Sequence, residues 1–117
     1  MIITDVNEKI LYVNELVEKV TGYSTQEIVG QTPALWGRQM PDKFYEEMEN
    51  IIRHEKRSLV TKVINKHKSG KLYDAILRIS PVIGTSGKIK FFVGMETVID
   101  RGVKDKLNIG LIPFGFL

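Results

Sequence analysis

The sequence of 117 residues contains no cysteine. Disulfides, iron–sulfur sites, zinc ribbons and every thiol-based mechanism are thereby excluded. Histidine is scarce as well: His54 and His67 are the only two, too few for a zinc site without carboxylates at ligand spacing, so no metal is expected. Neither sign of charge dominates. Seventeen Lys and Arg against 14 Asp and Glu leave +3, with the signs interspersed, which is not the footprint of a nucleic-acid binder. Long apolar runs are also missing. Met1-Ile2-Ile3 gives way at once to Thr4, Asp5, Asn7 and Glu8, too polar for the apolar region of a signal peptide. The stretch from Leu107 to Leu117 is about half of the ~20 residues that cross a bilayer, and Gly110, Pro113 and Gly115 break it. A cytoplasmic protein without membrane contact is expected. At roughly 150 residues per domain, the length leaves no room for a catalytic and a regulatory unit together.

What is present reads as one α+β domain. Ile2 to Val13 makes two short strands around a turn at Asp5, Asn7 and Glu8. Asn14 is placed to cap a helix carrying Leu16, Val17 and Val20 on one face and ended by Gly22. Ser24 and Glu27 have the spacing of a capping box ahead of Ile28, with Gly30 closing that turn. A longer helix is predicted from Pro41 to about Glu55, because Phe44, Tyr45, Met48, Ile51 and Ile52 recur as one buried stripe. The period then changes to two. Ser58–His67, Leu72–Ile83 and Ile89–Ile99 are predicted strands, joined by hairpins at Lys68-Ser69-Gly70-Lys71 and Gly84-Thr85-Ser86-Gly87-Lys88. Pro81 marks an edge or a bulge, and Gly94 a close approach of backbone or ligand. The order predicts a five-stranded antiparallel sheet with short helices and one longer helix on one face. Residues 1–99 form the domain; residues 100–117 are an apolar tail that serves as linker, sheet cover or partner contact.

Several strings strengthen that reading: Ile3-Thr4-Asp5, Val20-Thr21-Gly22-Tyr23-Ser24, Glu27-Ile28-Val29-Gly30-Gln31, Gly37-Arg38 before Phe44-Tyr45, Asn65-Lys66-His67-Lys68-Ser69-Gly70, Ile79-Ser80-Pro81-Val82 and Phe92-Val93-Gly94-Met95. In this order and at these gaps the chain resembles a PAS domain of the S-box type with its PAC motif, over Ile2 to about Val98. The resemblance implies a non-catalytic sensory module that binds a small ligand or pairs with another domain. It also implies relay to a separate output partner such as a histidine kinase or diguanylate cyclase. The Asp-Ile-Thr string that ends many members is absent, since Thr97-Val98 stands in its place.

With the register the resemblance supplies, Thr61, Val63 and Asn65, then Tyr73, Ala75, Leu77 and Ile79, then Phe92, Gly94, Glu96 and Val98 face inward. Asn65 and Glu96 are the polar exceptions on an apolar face. Each must find a partner, whether the other, backbone, water or a ligand. The pocket candidates are Asn65, Glu96, Thr61, Tyr73, Phe92, Gly94, Trp36, Tyr45 and Met48. Trp36 reads either as a core plug or as a stacking wall. Phe91, Val93 and Met95 make the opposite face of the last strand apolar, so a homodimer or output contact is expected there, unless the tail at Leu107, Ile109 and Leu111 covers it.

For cofactors, the light-sensing LOV branch of the family uses a cysteine, two asparagines and a glutamine around its flavin. Here Asn65 matches the first asparagine, while Pro33, Ala75 and Glu96 stand at the other three places, and a LOV-type flavin adduct is expected to be excluded. Non-covalent FAD binding, as in redox-sensing members, stays open as an alternative function. Haem is disfavoured, since Lys43-Phe44-Tyr45 fills the stretch where haem-binding members carry a histidine. Gly84–Lys88 is a hairpin and not a phosphate loop, and no Gly-x-Ser-x-Gly elbow occurs. A small cone-shaped enzyme using Glu96 as a buried base is the remote alternative.

Overall fold

The computed structural model describes residues 1–99 and 112–113. The opening hairpin pairs β1 (Ile2–Thr4) with β2 (Ile10–Val13). Its turn is organised by Asp5, whose Oδ1 accepts from the backbone N–H of Asn7 at 2.8 Å and of Lys9 at 2.9 Å. Helix α1 (Glu15–Thr21) follows with Asn14 at the cap position, although the Asn14 side chain makes no capping bond. Gly22 ends α1 in the left-handed region at φ 82 and donates its N–H to Glu18 O. A Cβ at Gly22 would also collide with the His67 ring, so two independent constraints select glycine there. Helix α2 (Thr25–Ile28) carries the capping box: Glu27 N donates to Ser24 Oγ at 3.2 Å and Ser24 N to Glu27 Oε1 at 3.0 Å.

After a 3₁₀ turn at Pro33–Leu35, helix α3 runs over Asp42–Glu49 and passes into a π turn at Asn50–His54. The expected regular helix to Glu55 is corrected at this point. Glu55 N donates to Asn50 O at 2.9 Å and Arg57 N to Ile51 O at 3.0 Å, wider closures than a regular helix makes. The widened turn carries two consecutive residues, Ile51 and Ile52, that are both buried. Pro41 is the residue before the helix rather than its first member.

Strands β3 (Leu59–Lys66), β4 (Leu72–Ile83) and β5 (Ile89–Ile99) follow the predicted bounds closely. All pairings are antiparallel, in the order β2-β1-β5-β4-β3 with one addition at the open edge. A two-residue strand, β6 (Ile112–Pro113), pairs with Leu59 and Val60 of β3 and extends the expected five strands to six. The tail's positions 107, 109 and 111, the alternative cover for the outer face, fall outside the described residues. Pro81 does mark an edge, because β3 ends opposite Ile79 and leaves β4 with a neighbour on one side only.

The interior is divided. One buried cluster joins Ile2, Ile10, Val13, Val17, Ile28 and Trp36; the other joins Met48, Ile51, Ile52, Leu59 and Phe92. Among the described residues no helix is long and apolar enough to cross a membrane.

Candidate functional site

Between the two clusters, on the concave face of the sheet and under α3, lies a cavity of about 140 Å³. An engineered cavity of about that size admits a benzene ring. Seven of the nine candidates line it: Asn65, Glu96, Phe92, Gly94, Trp36, Tyr45 and Met48. Thr61 and Tyr73 do not, and their inclusion is corrected. Both share the inner face by register, but Thr61 lies buried beside Val60 and Lys62, outside the cavity wall. Tyr73 stands opposite Asn65 with its hydroxyl buried, making no well-formed hydrogen bond among the described residues.

Polar chemistry at the base centres on one pair. Asn65 Nδ2 donates to Glu96 Oε1 at 2.9 Å. Burial pushes the Glu96 carboxyl above its ordinary value, with the Asn65 amide and the Trp36 indole acting in the opposite direction. Burial likewise raises the Tyr73 phenol, and the charge of Glu96 adds to that rise. Trp36, 2% exposed, belongs to the first cluster, as a core plug does, and also lines the cavity. Gly94 is expected to mark a close approach of backbone or of ligand, and the backbone alternative is not met. The nearest atoms to a Cβ placed there are Arg78 O and Leu77 Cδ1, both at 3.9 Å, so no backbone approach demands glycine and the open space is the cavity itself.

The mouth carries charges that the sequence reading left out. Arg53 Nε meets Glu49 Oε2 at 2.7 Å, its Nη1 donates to Val6 O at 2.8 Å, and its guanidinium lies 5.0 Å from the Phe92 ring centre. Arg38 adopts φ 64, in the left-handed region, and holds its guanidinium 4.7 Å from the Tyr45 ring centre. Glu8 lines the same opening. Glu49 and Arg53 stand four and eight residues after Tyr45, on the stripe that faces the sheet. That spacing was the available signal.

On the far side of β5, Phe91 and Met95 are exposed, Met95 to 54%, and Val93 is half-buried. They alternate with Phe92, Gly94 and Glu96, which face the cavity.

The sequence profile of the PAS domain family matches residues 1–100. The chain belongs to the PAS domain family. This PAS domain is 28% identical over 95 residues to a nitrogen fixation regulatory protein of Klebsiella oxytoca, covering 80% of the chain and 19% of that protein. It is 31% identical over 100 residues to a blue-light-activated histidine kinase of Rhizobium johnstonii, covering 82% of the chain and 29% of that protein. The domain thus spans less than a third of either relative. Its fold is that of the blue-light photoreceptor Aureochrome1 LOV in the dark state, with TM-score 0.80 at 19% identity over 92% of this chain and 80% of that one. It is a sensory and regulatory module of signal transduction, as these relatives are.

The same matches correct the cofactor expectation. Pro33, Ala75 and Glu96 at three of the four flavin-site positions are expected to exclude a LOV-type flavin adduct, yet the domain is similar to a blue-light-activated histidine kinase and takes the fold of a LOV photoreceptor, which conflicts with that exclusion. Asn65, Glu96, Trp36, Tyr45 and Phe92 line the cavity.

Proposed function

We infer that this PAS domain senses a small molecule held between its two core clusters and passes the change through β5 to its outer face. One observation carries the reading: Phe92, Gly94 and Glu96 line the cavity, while Phe91, Val93 and Met95 on the same strand present an apolar face. Whatever shifts one set displaces the other, because alternate residues of a strand share one backbone. The outer face pairs two copies as a homodimer and contacts a separate output partner, such as a histidine kinase or a cyclase, in the cytoplasm. Residues 1–99 are the sensing unit, and residues 100–117 connect it or cover its edge. No catalytic step is assigned, since the Glu96 carboxylate is held by Asn65.

Native mass spectrometry of the purified chain, beside its absorption spectrum, tests this directly. A bound small molecule and a dimer are expected. A ligand-free monomer at high concentration, unchanged by a metabolite screen, overturns the reading.

A further inference from the structure

We propose that the cavity takes a compact ring-bearing monocarboxylate, its ring among the apolar walls and its carboxylate in the fork of Arg38. The proposal rests on the cavity being a ligand site and narrows what that ligand is.

The two mouth arginines differ in a way that assigns the anion. Arg53 is already engaged by Glu49, by the Val6 carbonyl and by the Phe92 ring. Arg38 is exposed, makes no hydrogen bond or ion pair among the described residues, and holds its guanidinium over the face of Tyr45. Stacking occupies the face of a guanidinium and leaves its N–H groups, which lie in the plane, free to form the bidentate pair that carboxylates accept. Arg38 sits at φ 64 directly after Gly37, and Glu8 and Lys56 occupy the same left-handed region at φ 68 and φ 53.

Charge sets the ligand's valence and direction. Glu8 and Glu49 also line the opening; Glu49 is paired with Arg53, so the second charge of a dianion would face Glu8 with no further unpaired arginine among the lining residues. At the far end Glu96 and Asn65 already pair, and a second carboxylate beside Glu96 would add like charge in a buried place. The anion therefore lies outward. Met48, Ile52, Val63, Leu77 and Phe92 surround the remainder, and the volume of about 140 Å³ limits the body to about one ring.

The test titrates benzoate, benzyl alcohol and phenyl phosphate into the full chain, followed by the fluorescence of Trp36, the chain's one tryptophan, and by NMR shifts of cavity residues. Benzoate is expected to bind at least tenfold more tightly than benzyl alcohol, and phenyl phosphate more weakly than benzoate. Arg38→Gly should reduce the benzoate preference below threefold while leaving benzyl alcohol unchanged. This variant relieves the φ 64 strain, so thermal melting should show it no less stable than the parent. Equal affinity for benzoate and benzyl alcohol, or a preference that survives Arg38→Gly, overturns the proposal while leaving the cavity a ligand site. Tighter phenyl phosphate, or a chain purified with a flavin that benzoate does not displace, overturns it too. If no probe moves Trp36 or its neighbours, the ligand-site reading falls with it.

Discussion

Asn65 on β3 and Glu96 on β5 are hydrogen-bonded at 2.9 Å although β4 lies between their strands. Strands two apart are separated by roughly 9.5 Å, so the bond must pass over the middle one. Register shows how. Asn65 stands opposite Tyr73 and Glu96 opposite Leu77, and between those two residues on the inner face of β4 is Ala75, fully buried and too small to obstruct. A longer side chain at Ala75 would part the pair.

Acidity follows from the burial of Glu96. Its carboxyl is raised in the folded state above the ordinary 4.5, so the folded chain holds the proton more tightly than the unfolded chain. Stability from this group is complete below the ordinary value and is lost as pH rises through the folded one. Glu96→Gln should flatten the stability profile over that range and hold more of its stability near neutrality. Urea unfolding at a series of pH values checks this, and parallel profiles for the two chains would refute it.

Gly94 is expected to tolerate a methyl group. Its surroundings leave an added Cβ at 3.9 Å from the nearest atoms, so Gly94→Ala should be neutral or more stable by up to about 1 kcal/mol, since strand glycine costs chain entropy. The methyl enters the cavity, and binding of any occupant should weaken. Unchanged ligand affinity would show that the occupied space lies elsewhere.

Gly22→Ala should cost more than the roughly 1–2 kcal/mol of a left-handed alanine, because the His67 ring stands where the methyl would go. Combining it with His67→Ala should recover the excess. A double-mutant cycle that adds without coupling would dissociate the two residues.

The outer face is tested by charge. Phe91→Glu with Met95→Lys places ions on positions that are exposed in the single chain, so the fold should persist while self-association weakens at least tenfold in sedimentation velocity. An unaltered association constant would move the dimer contact off β5.

Most of the fold was legible because its signals are local. The Ser24–Glu27 box, the hairpin at Lys68–Lys71 and the strands over Leu72–Ile83 and Ile89–Ile99 each follow from residue types at short spacing. The Asn65–Glu96 partnership was legible as one of several outcomes once the register implied by the PAS resemblance placed both on the inner face. The π turn was not, since its residues carry the same stripe as a regular helix and only tertiary packing selects the wider closure. Thr61 and Tyr73 were misassigned for a related reason: alternation reports the face of a sheet but not how far along the strand the cavity reaches. Arg38 and Arg53 were passed over because charge reads as solvent exposure until a third element is seen to approach. The cofactor exclusion failed because it weighed three positions, Pro33, Ala75 and Glu96, against an architecture.

The division of the interior bears on how a message can travel. The group around Trp36 and the group around Phe92 are packed separately, with a void between them. A guest in that void would touch both and act as mortar, so that the two clusters, already joined through one sheet, melt and fluctuate as one. Amide protons of β1 and β2 should then exchange independently of those in β3 and β4 in the empty domain, and in step with them once it is filled. Information of that kind is carried by stiffness and requires no atom to move far.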